Sequence, residues 1–266
     1  GPLRERPRPW RPMDDRHGRP QVRRHGFQWP LHPFQVVSWL VFGADVVVFA
    51  AFVPLIEEQI PKMVVTALYV ATVLTVIVST ARATWCDSSD PHLRLPSGSQ
   101  LDADGDGDSV QFCSVCSVSV YGRSKHCWAC NKCVHVFDHH CMWINNCVGE
   151  RNYAAFFASI ASVAAMLCTM LGTSAYLLAS YFLDEEAFAQ RVEVVPLLQS
   201  LPMELFPAVL VSLCVVNLPL FLLDSQLVLL HVYLTTQELT TYEYIQSKQG
   251  LAPPPKRGRA DAARGG

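Results

Sequence analysis

Apolar residues gather along this chain into four long blocks, Val36 to Ile56, Met63 to Ala83, Tyr153 to Phe182 and Leu205 to Leu234. Each reaches the roughly 20 helical residues that a hydrocarbon core requires. A helix lying on a soluble core would carry polar residues at a helical period, whereas these blocks are apolar all round. The pattern predicts four membrane-spanning helices, at residues 32–56, 63–85, 153–183 and 205–234. The first block is too long, and has too much chain before it, to be a cleaved leader. Two carboxylates interrupt the pattern, Asp45 and Asp224. For Asp224, deep in the fourth block, a structural hydrogen bond to a neighbouring helix is expected.

Polar sequence fills the rest: a basic tail at 1–31, an acidic linker at 86–112, a cysteine-rich segment at 113–152 and a C-terminal segment at 235–266. Within the linker, Asp102 to Gly107 matches the first half of an EF-hand loop. Cys113 stands where that loop needs its last glutamate, so the stretch reads as linker alone. No internal repeat is apparent.

Composition agrees with a membrane protein. Half of the 266 residues are hydrophobic and 17% are charged, against roughly one-quarter charged in soluble domains. Charge then sets orientation, because basic residues flanking spans stay on the cytoplasmic side. Arg4, Arg6, Arg8, Arg11, Arg16, Arg19, Arg23 and Arg24 precede the first span, and Lys248, Lys256, Arg257, Arg259 and Arg264 follow the fourth. The loops at 57–62 and 184–202 are acidic on balance. Both termini and the cysteine-rich segment are therefore expected in the cytosol. The basic tails suit anionic lipid rather than nucleic acid.

A cytosolic setting keeps thiols reduced, so clustered cysteines there mean metal or catalysis. Seven of the ten cysteines fall between Cys113 and Cys147. Cys168 and Cys214 lie inside spans as core residues, and Cys86 reads as an inert thiol rather than an acylation site. Zinc prefers four N or S ligands, offered in close pairs. The pairs are Cys113 with Cys116, and Cys127 with Cys130; His126, Cys133, His135, His139, His140, Cys141 and Cys147 bring the candidates to eleven. Two closed sites consume eight and leave three. Asp138, His139, His140 and Cys141 offer a thiol nucleophile, an imidazole to generate its thiolate and a carboxylate to orient that imidazole. If His140 turns to a metal, His139 is left free to serve Cys141. A rival reading is a non-catalytic zinc scaffold that recruits partner proteins. A RING-type cross-brace is excluded, since Cys141 and Cys147 are too far apart to form its final close pair.

Together the residues Cys113, Cys116, Arg123, His126, Cys127, Cys130, Cys133, Asp138-His139-His140-Cys141, Trp143, Asn146, Cys147, Gly149, Asn152 and Phe156 closely resemble the cysteine-rich domain of the DHHC family of protein S-acyltransferases. A second family element, Thr-Thr-x-Glu, is similar to Thr240-Thr241-Tyr242-Glu243, in preference to Thr235-Thr236-Gln237-Glu238. The resemblance implies two structural zinc ions, one held by Cys113, Cys116, His126 and Cys133, the other by Cys127, Cys130, His140 and Cys147. It also implies Cys141 as nucleophile, His139 as its base and Asp138 as orienting residue, with Thr240, Thr241 and Glu243 near the active site. His135 is left as a surface or packing residue. The implied reaction moves a palmitoyl or similar long chain from acyl-CoA to Cys141 and then to cysteines of substrate proteins. Arg123, Lys125 and Lys132 are candidates for the CoA phosphates. The implied fold is an all-α four-helix bundle in the lipid bilayer of the endoplasmic reticulum or Golgi, carrying a small zinc-binding cytosolic domain. Three stretches depart from the commoner family pattern: Met142, Tyr121-Gly122 and Asp90-Pro91-His92.

Overall fold

A computed structural model describes residues 21–94 and 110–250. The N-terminal arginines up to Arg19, the EF-hand-like stretch and the basic residues from Lys256 onward lie outside the described residues. The chain divides into two compact units, one of residues 33–81 and 155–232, the other of residues 1–32, 82–154 and 233–266.

The first of these units is built from long helices: α1 (Pro33–Phe52), most of α2 (Gln59–Trp85), most of α3 (Tyr153–Leu183), the short α4 (Glu185–Glu193) and most of α5 (Leu205–Thr236). Four of them, with α1 extended by one turn to Leu55, are long and apolar enough to cross a membrane. Leu40, Val47, Leu74, Leu223 and Leu229 point outward and are exposed, the arrangement expected where the surrounding solvent is hydrocarbon. Inside, Phe52, Leu55, Leu177, Phe188, Phe206 and Leu210 form one core cluster, and Phe49, Tyr69, Met166 and Met170 form another. Small hydroxyl residues on the buried side of α3 let its neighbours approach; Ser159 and Thr80 of α2 lie 2.7 Å apart, oxygen to oxygen.

Two details differ from expectation. The interhelical hydrogen bond is made by Asp45, whose Oδ1 accepts from Asn217 Nδ2 at 3.1 Å. Asp224 Oδ2 is buried with no partner among the described residues. The loop after α3 also contains a helix, α4, because Asp184 caps it by accepting from Ala187 N while Glu185 and Glu186 favour the positive end of its dipole.

An all-α chain is too coarse a description of the other unit. Its cysteine-rich segment forms three separate antiparallel hairpins: β1 (Val110–Cys113) with β2 (Val118–Tyr121), β3 (Lys125–Cys127) with β4 (Lys132–Val134), and β5 (His139–Cys141) with β6 (Asn146–Val148). Strands of three or four residues are too short to show a readable alternation. Each turn closes through a residue with positive φ, Ser117 at 53°, Asn131 at 51° and Asn145 at 51°, and asparagine tolerates that conformation better than most residues. A lone two-stranded hairpin is marginal in water. Something besides the strand pairing must therefore hold each one. The unit is completed by α6 (Thr241–Lys248).

Candidate active site and metal centres

The three hairpins share one register, repeated every fourteen residues. Cys113, Cys127 and Cys141 are equivalent, as are Ser117, Asn131 and Asn145, and the cross-strand pairs Phe112↔Ser119, His126↔Cys133 and His140↔Cys147. The sequence therefore does contain an internal repeat. It escapes a reading by composition because only the first cysteine of each unit, and a valine at Val120, Val134 and Val148, stay the same type throughout.

Metal-grade donors gather where one hairpin's turn meets the next hairpin's cross-strand pair. Cys113, Cys116, His126 and Cys133 converge in one group and Cys127, Cys130, His140 and Cys147 in another, with all donor atoms of a group within 4.8 Å of one another. In the first, His126 Nδ1 is 3.3 Å from Cys116 Sγ and 3.9 Å from both other sulfurs. In the second, His140 Nδ1 is 3.4 to 3.8 Å from the three sulfurs, and Cys147 and Cys130 are 3.4 Å apart. Tetrahedral zinc with Zn–S near 2.3 Å and Zn–N near 2.0 Å gives edges of about 3.5 to 3.8 Å. Burial pushes the thiols of Cys133 and Cys147 up, so three thiolates at one point need a cation beside them. The residues fit zinc in both geometry and donor chemistry.

On β5, alternate side chains face opposite ways. His140 turns to the second metal group; His139 and Cys141 share the other face, with the thiol in hydrogen-bond reach of the His139 ring. His139 Nδ1 lies 2.6 Å from Asp138 Oδ2. Asp138 is buried, and its second oxygen accepts from Thr241 N at 2.8 Å. Burial alone would lift the Asp138 carboxyl, but the bonds from His139 and Thr241 hold it below the usual range. Burial likewise opposes charge on His139, yet Asp138 and Cys141 outweigh it and raise the imidazole to about 9. An imidazolium held by the Asp138 carboxylate is the state this surrounding favours.

Thr240 and Glu243 reach the site through α6. Thr240 is its N-cap and Glu243 closes a capping box, the Thr240 hydroxyl accepting from Glu243 N while Glu243 Oε2 accepts from Thr240 N. Glu243 also receives Arg123 Nε at 2.7 Å and Nη2 at 2.8 Å. Arg123 is thus committed within the protein. So is Lys132, buried between Asp87 Oδ1 and Arg24 O at 3.0 Å each. Lys125 bonds Gln111 and the Gly122 carbonyl. Arg123 and Lys132, candidates for the CoA phosphates in the sequence, are spent on internal partners. His135 packs as expected, 2.8 Å from Glu150. In the departing Asp90-Pro91-His92 turn, Asp90 is fully buried and accepts from His92 N, Tyr121 N and the Ser124 hydroxyl.

A mostly helical chain with four candidate spans, carrying cysteine- and histidine-rich hairpins around an Asp-His-His-Cys run, defines a class of thiol-bearing transferase. The family model for DHHC palmitoyltransferases matches residues 107–248, more than half of the chain, and the chain belongs to that family. It is 34% identical over 254 residues to the human probable palmitoyltransferase ZDHHC11B, covering 85% of this chain and 67% of the relative. To human palmitoyltransferase ZDHHC11 it is also 34% identical over 254 residues, covering 85% of this chain and 60% of the relative. Mouse palmitoyltransferase ZDHHC1 is 35% identical over 247 residues, with 84% and 50% covered.

Proposed function

We propose that the protein is a multi-pass membrane S-acyltransferase that moves a palmitoyl or similar long chain from acyl-CoA to cysteines of substrate proteins through a thioester on Cys141. Family membership supports the reaction class. The observation that carries the residue assignment is the chain of contacts from Thr241 N to Asp138, His139 and Cys141.

In this reading Asp138 fixes His139 through Nδ1, and Nε2 takes the Cys141 proton. The thiolate attacks the acyl-CoA carbonyl, the bond to the CoA sulfur breaks, and the proton passes from His139 to the departing CoA thiolate. A substrate cysteine then gives its proton to His139 and attacks the acyl-enzyme, and Cys141 leaves as a thiolate that recovers the proton. Cys113, Cys116, His126 and Cys133 would hold one zinc, and Cys127, Cys130, His140 and Cys147 the other. When bound, the ions supply rigidity to the hairpins. An apolar tail and a charged CoA place the thioester near the bilayer surface. The proposal extends to cytosolic termini, a membrane of the endoplasmic reticulum or Golgi, and the domain boundaries drawn from the sequence.

The test is incubation with a clickable palmitoyl-CoA analogue. A hydroxylamine-sensitive adduct that disappears in Cys141→Ser, with two zinc ions per chain in both proteins, is expected. Zinc-replete protein that takes no label favours the scaffold reading instead.

A further inference from the structure

In the first two hairpins, both cysteines at the turn enter a metal-grade group. The third hairpin has Cys141 and Ile144 at those positions, so its turn has no such crosslink, although its base does through His140 and Cys147. Its turn is held by the segment that precedes α1. Asn145 Nδ2 donates to the carbonyls of Gly26 and Pro30, at 3.2 Å each. Gly26 presses so close to the turn that a Cβ there would overlap the Ile144 carbonyl oxygen and come within 2.8 Å of Thr84 Cγ2.

The same segment is fastened on its other sides. Gly26 N donates to Thr84 O at 2.8 Å, and Arg23 N to Cys130 O at 2.9 Å, at the turn of the second hairpin. The buried Arg23 guanidinium folds back on the carbonyls of Gln28 and Pro30, closing the segment on itself. Arg24 O accepts from Lys132, and the His25 ring stacks on Trp85 at 4.5 Å. Residues 23–30 thereby join the second hairpin, the end of α2 and the turn beside Cys141.

We propose that residues 23–30 are a strap that does for the third hairpin what metal coordination does for the first two, holding Cys141 against His139 without consuming its thiol. A metal clamp would have taken the sulfur as a ligand; a backbone clamp leaves it reactive. Gly26 and Asn145 are positioning residues, since neither touches a reacting atom. The inference rests on the reading of Cys141 as nucleophile.

The test uses the full chain in detergent, comparing the parent with Gly26→Ala and Asn145→Gly. Glycine accepts the positive φ at position 145, so the second variant removes the amide donor with little backbone cost. The expected result for both is acyl-enzyme formation slowed by about ten- to a hundred-fold. The KM for acyl-CoA should stay within about two-fold, two zinc ions should be retained, and Cys141 should react more slowly with iodoacetamide. If Gly26→Ala does not fold, Asn145→Gly decides alone. Parent-like rates in Asn145→Gly overturn the strap and leave the nucleophile assignment standing. So does loss of rate only in step with loss of zinc, which would mark a merely structural segment. A parent chain that forms no acyl-enzyme overturns both readings.

Discussion

Glu243→Gln is the substitution whose consequences are best defined. The Glu243 side chain is 5% exposed and that of Arg123 18%, and the carboxylate accepts two bonds from the guanidinium and one from Thr240 N. Glutamine offers one acceptor and turns an NH2 toward Arg123 or Thr240. Removing one partner of a buried pair costs about 3–5 kcal/mol; water reaching the edge of Arg123 reduces this to about 2–3. Arg123→Met in the same background removes the stranded charge, so the pair should show a coupling energy of about 2 kcal/mol in a double-mutant cycle. The kinetic effect follows from α6. Loosening its first turn frees Thr241 N from Asp138, a bond to a charged group worth about 1.5–3 kcal/mol, and acyl-enzyme formation should slow by about ten- to a hundred-fold. Denaturant titration in micelles, followed by zinc release and by the remaining labelling rate, measures both effects. Single variants that add within about 0.5 kcal/mol in the double would refute the ion pair as the link between α6 and the hairpins.

Two further outcomes follow from the same geometry. Asp138→Asn should leave zinc content unchanged while labelling falls by about 10³- to 10⁴-fold, since the amide no longer holds His139 in the productive tautomer; single-turnover kinetics would show it. Cys130→Ala should lower bound zinc from two ions per chain to one and abolish labelling, because the group that includes His140 then keeps three ligands; metal analysis of the purified protein checks the stoichiometry.

Much of this architecture is legible in the residues. Hydrophobic blocks longer than any soluble helix needs mark the four candidate spans, and the ligand count leaves three donors over from two closed metal sites, which the family resemblance makes His135, His139 and Cys141. The capping box at Thr240 and Glu243 has a sequence form of its own, Ser/Thr-x-x-Glu, but Thr235 and Glu238 share it, so the form alone leaves two places for the start of α6. Other features depend on contacts that sequence spacing does not encode. Arg123 and Glu243 are 120 residues apart, and no local pattern shows that an apparently solvated arginine is paired. Gly26 looks like a loop glycine until the Ile144 carbonyl is seen against it. The three hairpins were obscured by their own brevity, since strands of three residues carry no period of two.

The fourteen-residue repeat has a simple numerical consequence. When each hairpin lends its turn to one centre and its strand pair to the centre before it, an array of hairpins always closes one centre fewer than its own number. Its last turn is left over. Here the leftover is Cys141. Appending one more such hairpin, with cysteine at position 144, would turn the proposed nucleophile into an ordinary ligand. Deleting the last hairpin would pass the vacancy back to Cys127. On the proposed reading, the reactivity of Cys141 is in that sense an end effect, lodged where a run of such modules stops and its turn has no second thiol at position 144.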